Sequence, residues 1–352
     1  MKKFFFIAAI ASAALVSCTK NEVTPVAFEK EITFAAPVVG AQTKAIVYGE
    51  IGANYDPAED FKVYAVWHES AFDKWENGSQ YMYDVVVSRN TGDFDTTPGD
   101  QGAWKPSSDY YWPKVGVLSF AAYSPATAEG AYAYGKNGLT ITNFPVPSQT
   151  SLQYDLMFSE RTYNKTQSEN GVNAEYDGVD IKFKHALSSI KFTAKTLADY
   201  SATTTIKVKK ITMWGMNSTG NFAENVNDIA AYDSAPAWTD QATPVASTAP
   251  YVAYEGTLTL NNSSAQGANS NDVILLPQTL PADATIRVDY TMQTVTGSEI
   301  PQYKEVAVSS LSGEWVLGKR YTYNIIVGLD DIYFAPSVED WQDMGGVGSL
   351  GI

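Results

Sequence analysis

Cysteine is almost absent: Cys18 is the only one in 352 residues, which excludes a disulfide framework within the chain. Histidine is nearly as scarce, with only His68 and His185. A zinc centre or a Ser/Cys–His apparatus is hard to assemble from so little, and the chain reads as a non-enzyme that needs no metal and no cofactor. Charged residues make up 18% of the chain, below the ~25% typical of globular proteins. Positive charge in particular is short: 24 Lys and Arg against 39 Asp and Glu give a formal net charge of −15. Nucleic acid and anionic lipid surfaces repel such a chain, so nucleic acid is excluded as a partner. After Val16 no apolar run approaches the ~20 residues of a membrane helix. No window of helical length carries an apolar stripe of 3.6-residue period.

What is present begins at the amino terminus. Lys2 and Lys3 precede an apolar run from Phe4 to Val16, and Leu15-Val16-Ser17-Cys18 follows as a lipobox. Residues 1–17 therefore read as a lipoprotein signal peptide and Cys18 as the lipidated residue. The lipid is the expected attachment to the outer membrane. Next comes a short polar tether and then Glu31-Ile-Thr-Phe-Ala-Ala-Pro37, in which Ile32, Phe34 and Ala36 alternate as in a strand. Lys44 follows in a loop of small residues, Gln42-Thr43-Lys44-Ala45, open to a trypsin-like protease.

From there on, short alternating runs dominate. Phe61, Val63, Ala65 and Trp67 form one, Tyr81 to Val87 another and Leu118 to Tyr123 a third, separated by turn clusters such as Glu76-Asn-Gly-Ser79. Strands are expected again at Val179–Phe183, Ser189–Ala194, Ile206–Trp214, Tyr254–Leu260, Val273–Leu276, Thr285–Thr291, Tyr303–Val308 and Tyr321–Val327. Glu160 to Gly178 and Asn217 to Ala249 read as long polar loops, and the stretch from Asp330 onward as a run into a Gly-rich tail. Many short strands with aromatics at 13% and few charges predict an all-β fold of sandwich type. The expected division is a propeptide at 18–44, an amino-terminal β-sandwich at 45–176, a carboxyl-terminal β-sandwich at 177–341 and a tail at 342–352.

His185, amid strand residues, reads as a buried structural histidine. Asn225-Val-Asn-Asp228 lacks calcium-loop spacing and reads as a solvated acidic loop. Tyr110-Tyr-Trp-Pro113 is either core or a carbohydrate-stacking platform, with core the simpler reading.

Several phrases taken together resemble the fimbrillin family of surface lipoproteins, the type V pilins. They are Trp104-Lys105 with Tyr111-Trp-Pro113, Leu118-Ser-Phe-Ala-Ala-Tyr-Ser-Pro125, Asp155-Leu-Met-Phe158 and Val179-Asp-Ile-Lys-Phe-Lys-His-Ala-Leu-Ser188. Leu275-Leu-Pro-Gln278, Trp315-Val-Leu-Gly-Lys-Arg-Tyr-Thr-Tyr-Asn324 and Val338-Glu-Asp-Trp341 complete the set. The resemblance implies two sandwiches of transthyretin- or immunoglobulin-like build, with Tyr111, Trp112, Phe120 and Tyr123 in the core and Pro113 and Pro125 at strand ends. It also implies export as a lipoprotein, cleavage between Lys44 and Ala45, where the family usually has arginine, and polymerisation by donor-strand exchange at the cell surface.

On that reading, cutting frees the strand Glu31–Pro37 and leaves a groove with bare strand edges. The candidate donor is the tail, whose Met344, Val347, Leu350 and Ile352 supply apolar side chains, Val347 being out of phase without a bulge. The same tail could instead be an edge strand of its own domain. The expected partners are other copies of the chain or related fimbrial subunits, the outer membrane through the lipid, and surface ligands of host or bacterial cells. The alternative is a non-polymerising surface lipoprotein, an anchor or glycan-binding adhesin.

Overall fold

The computed structural model describes residues 31–34, 38–39, 60–89, 104–167, 178–263, 265–268 and 272–341. Among them there is no α-helix; apart from short 3-10 turns such as Trp75–Asn77 and Thr150–Leu152, the regular elements are strands. The all-β expectation holds.

The first sheet has eight strands. Its order is Val38–Val39, Lys182–His185, Met157–Ser159, Val117–Ser124, Phe61–His68, Ser79–Arg89 and Trp104–Pro106, with Thr162–Lys165 also paired to Val117–Ser124. Its central strands are buried on both faces, so alternation sorts residues between two cores rather than between core and water. Phe61, Val63, Ala65, Phe120 and Ala122 face one cluster, which Trp104, Trp112 and Phe183 complete. Tyr64, Val66, Ala121 and Tyr123 face the other, which is continuous with the rest of the protein. Tyr111 departs from expectation: Trp112 is buried, but Tyr111 is exposed and its carbonyl accepts a hydrogen bond from the Tyr81 hydroxyl. Successive strand residues point to opposite sides, and Trp112 takes the inward one.

The carboxyl-terminal part is built from a pair of sheets sharing one apolar cluster. In one, Ser188–Thr196 runs parallel to Lys319–Val327, from Ser189 opposite Arg320 to Thr196 opposite Val327. Ile332–Asp340 adds an edge to it. The other has Thr204–Trp214 and Thr285–Thr294 at its centre, with Tyr251–Thr259 and Ile300–Ala307 outside.

A further four-stranded sheet joins the two parts. Gly138–Pro145, with its hairpin partner Ala131–Gly135, comes from the first half of the chain; Asn217–Ala223 and Ala237–Pro244 come from the second. Gly220 lies opposite Phe144 and Phe222 opposite Ile141. The chain also crosses ten residues beyond the expected break at 176/177: Lys182–His185 remains in the first sheet, and only Ala186 and Leu187, both buried, separate it from Ser188–Thr196.

Residues 217–249 are thus not the loop that their polarity suggests. Phe222 and Glu224 both face inward, and Glu224 is fully buried. Its carboxylate accepts hydrogen bonds from the Leu139 N–H (2.7 Å) and the Tyr232 hydroxyl (2.8 Å). Gly138, at φ +87°, leaves room where a Cβ would collide with that carboxylate. Burial pushes the Glu224 carboxyl up to about 7. A folded-state pKa above the unfolded one means stability is full at low pH and falls as pH rises toward and past 7. Glu224→Gln keeps the shape without the charge. It is expected to melt like the parent at pH 4 and to be more stable at pH 8, by up to about 3 kcal/mol, in thermal unfolding at the two pH values.

Candidate functional site

The segment Glu31–Phe34 alternates because it is a strand with one buried face. Ile32 is 1% exposed and Phe34 0%, while Glu31 points to solvent, 3.9 Å from Lys105. Its backbone is paired on both sides. The Ile32 N–H donates to the Tyr110 carbonyl (2.7 Å), and the Phe34 N–H donates to the Trp104 carbonyl (2.9 Å). Phe34's own carbonyl accepts from the Trp104 N–H (3.2 Å). On the opposite side the Thr33 carbonyl accepts from the Val179 N–H (2.9 Å). Farther along, Val38 and Val39 pair in parallel with Lys182 and Phe183. The segment is antiparallel to Trp104 and parallel to Val179. It therefore bridges the two ends of the eight-stranded sheet and closes it into a ring around its own core.

Phe34 is the plug of that ring. Its side chain meets Phe61 at 5.8 Å and Phe120 at 5.7 Å between ring centroids, both edge-on at 90°. Phe61 in turn touches Trp104 (5.5 Å) and Phe183 (5.8 Å). Val39, 5% exposed, belongs to the same cluster. Lifting out Ile32, Phe34 and Val39 would bare apolar surface worth ~1.5–3 kcal/mol per side chain. It would also strip partners from Trp104, Tyr110 and Val179. A β-strand fits such a gap because it supplies side chains inward and backbone groups to both rims.

The other predicted site residues, Cys18, Lys44, Ala45, Met344, Val347, Leu350 and Ile352, lie outside the described residues, as does Ala36. The last described residue bears on them. Trp341 lies flat on His185, 4.0 Å between ring centroids at 6°, and its N–H donates to the Gly318 carbonyl (2.9 Å). His185 is buried as expected, with its Nδ1 2.6 Å from an Asp155 carboxylate oxygen. It ends the strand whose Lys182 and Phe183 pair with Val38 and Val39. Trp341, which follows Ile332–Asp340, thus packs against the strand that borders the groove.

A second polar centre holds the neighbouring parts together, and sequence reasoning missed it. Arg161 is buried beside the strand Thr162–Lys165, within the stretch expected to be loop. Its guanidinium donates to Asp228 (2.7 Å), the Gly135 and Lys136 carbonyls (2.9 and 2.8 Å) and the Tyr134 hydroxyl (3.0 Å). It also lies 4.9 Å from the Trp75 ring centroid. Asp228 accepts a further bond from the Trp75 N–H on the same oxygen, so one oxygen of the carboxylate read as solvated is committed to protein donors.

A family model described as fimbrillin-like matches residues 90–341. The chain belongs to the fimbrillin-like family. Solved structures were found to be similar to this family member. A fimbrial protein from Bacteroides vulgatus superposes with a TM-score of 0.57 at 15% identity, over 89% of this chain and 99% of that one. A candidate cell adhesion protein from Bacteroides uniformis matches with a TM-score of 0.49 at 16% identity, over 89% and 99%. The tip fimbrial protein Mfa3 from Porphyromonas gingivalis, carboxyl-terminally truncated, gives 0.37 at 11% identity, over 81% and 94%. At these identities the Bacteroides vulgatus likeness speaks for the fold of this fimbrillin-like chain. No curated protein sequence matches it.

Proposed function

We propose that the chain is a structural subunit of a cell-surface fimbria, exported as a lipoprotein and polymerised by strand replacement. Cys18 carries the lipid and holds the precursor at the outer membrane. Cleavage after Lys44 makes Ala45 the new amino terminus, and the strand Glu31–Phe34 is then held only noncovalently. When it leaves, a strand from another subunit takes its place. The tail from Met344 to Ile352, rooted at Trp341, is the donor to the next subunit. The observation that carries this reading is a strand paired on both rims, with Ile32 and Phe34 fully inside, standing just upstream in sequence of a basic residue among small residues. Membership of a fimbrillin-like family and the fimbrial protein from Bacteroides vulgatus support the same direction.

The test is Lys44→Ala in cells. The variant is expected to accumulate as a lipidated, folded monomer with an unchanged melting temperature, and mass spectrometry should find Cys18 rather than Ala45 at its amino terminus. Fimbriae of normal length from this variant would refute the cleavage step. A parent protein whose surface form keeps lipidated Cys18 would make the chain an anchor or adhesin instead.

A further inference from the structure

We infer that the outward face of the sheet built on Thr204–Trp214 and Thr285–Thr294 carries a binding site for an uncharged sugar residue of a glycan, with the Tyr303 ring as its platform. The inference does not depend on strand replacement. Ile286 and Val288 are fully buried, so Arg287, Asp289 and Thr291, which alternate with them, point away from the core. Their cross-strand neighbours on Ile300–Ala307 are Glu305, Tyr303 and Pro301. Tyr303 is 60% exposed. Exposure alone says little, but this ring is held in place. The Arg287 guanidinium lies over it, 4.2 Å from the ring centroid. That guanidinium is fixed in turn by Asp289 (3.0 and 2.7 Å) and Glu305 (3.3 Å). The ring thus stands on the sheet braced on one face, with the other left to solvent.

Hydrogen-bonding groups stand around the ring. Two residues along both strands, roughly 7 Å away, Thr291 lies opposite Pro301 on one side and Lys207 on the other. The Thr291 hydroxyl is buried and meets no partner among the described residues. Such a group is costly unless answered, and a ligand hydroxyl answers it once the side chains over it part. Asp289 and Glu305 each give Arg287 one carboxylate oxygen, which leaves the second for another donor. A sugar has the matching chemistry: a C–H face to lie on the ring, and hydroxyls that both donate and accept. Charge chooses among glycans. Lys207 and Lys209 are paired with Glu299, Lys210 with Glu255, and Arg287 with Asp289 and Glu305. Four cations thus meet four carboxylates, a neutral face on a chain of net charge −15. An anionic sugar would have to break one of those pairs, whereas an uncharged one breaks none. Repeated once per subunit along a fibre, even a weak site gains by multivalency.

Calorimetric titration of the full-length subunit, purified in detergent, tests this. The probes are uncharged oligosaccharides of glucose, mannose, galactose, xylose and N-acetylglucosamine, with sialylated and sulfated oligosaccharides alongside. At least one uncharged probe is expected to bind at millimolar concentration or below, and no anionic probe more tightly. Tyr303→Ala should weaken that binding by about tenfold or more, equivalent to ~1.4 kcal/mol, and Tyr303→Phe, which keeps the ring, should retain most of it. Thr291→Val, which removes the unanswered hydroxyl, should cost a few-fold. The melting temperature of Tyr303→Ala should match the parent, because that side chain lies mostly in water. Failure of every uncharged probe to bind the parent, binding undiminished by Tyr303→Ala, or a preference for anionic probes would each overturn the inference. None of these results touches the fimbrial reading, which stands or falls with the Lys44→Ala variant.

Discussion

Arg161→Ala is expected to lower the stability of the folded chain by about 3–5 kcal/mol, the largest loss from any single polar substitution outside the groove. The guanidinium is fully enclosed and answers several acceptors at once: Asp228, the carbonyls of Gly135 and Lys136, and the Tyr134 hydroxyl. Truncation leaves a carboxylate and a pair of carbonyls in a dry interior with no donor, and a lone buried charge costs far more than the pair is worth. Arg161→Lys should recover only part of the loss, since an ammonium cannot span Asp228 and the Gly135–Lys136 turn in one plane. Replacing both partners, Arg161→Met with Asp228→Leu, should restore more than either single change predicts. Urea unfolding of Arg161→Ala, Arg161→Lys, the double variant and its two single components checks this; an Arg161→Ala cost under about 1 kcal/mol, the scale of an exposed pair, would mean that the centre is wetter than its burial indicates.

Deleting residues 342–352 is expected to abolish fibre growth without unfolding the subunit. The described core ends at Trp341, which is seated on His185 and bonded to Gly318, and the deletion leaves that seat in place. On the donor reading it removes the strand that enters the next subunit. Melting temperature, cleavage and surface delivery should match the parent, while electron microscopy should find no fibres. Leu350→Asp should act in nearly the same way, because an unpaired carboxylate in an apolar groove costs several kcal/mol. Normal fibres from the deleted chain would place the donor elsewhere in the sequence.

The sequence made the groove strand readable because Ile32 and Phe34 alternate with polar residues and have no competing period. It could not reveal that the strand is paired on both sides, antiparallel on one and parallel on the other, since backbone pairing leaves no mark on residue type. Phe61–His68 and Val117–Ser124 were readable for the same reason as the groove strand, though their burial on both faces was not. Polarity misled where a buried polar side chain is answered by protein partners. Arg161 beside Thr162–Lys165 and Glu224 after Asn217–Ala223 look like loop residues until Asp228, Leu139 and Tyr232 are seen to meet them. Ile332–Asp340 escaped notice for the opposite reason. It is an edge strand exposed along most of its length, so burial imposed almost no pattern on it.

On the proposed function, the sheet that joins the two parts also governs how a fibre of such subunits answers force. Had a single linker connected the halves, a pull along the fibre would straighten it and each subunit would behave as a pair of beads on a string. Here the chain crosses before Ala131, returns after Pro145, and crosses again on either side of Asn217–Ala223 and Ala237–Pro244. Separating the halves means stripping the paired strands Gly138–Pro145 and Asn217–Ala223 from each other and exposing Phe144, Ile141 and Phe222 together. In the proposed fibre each subunit then resists a pull as one unit, and the compliance, the bending and the first yield under load, resides in the joints between subunits.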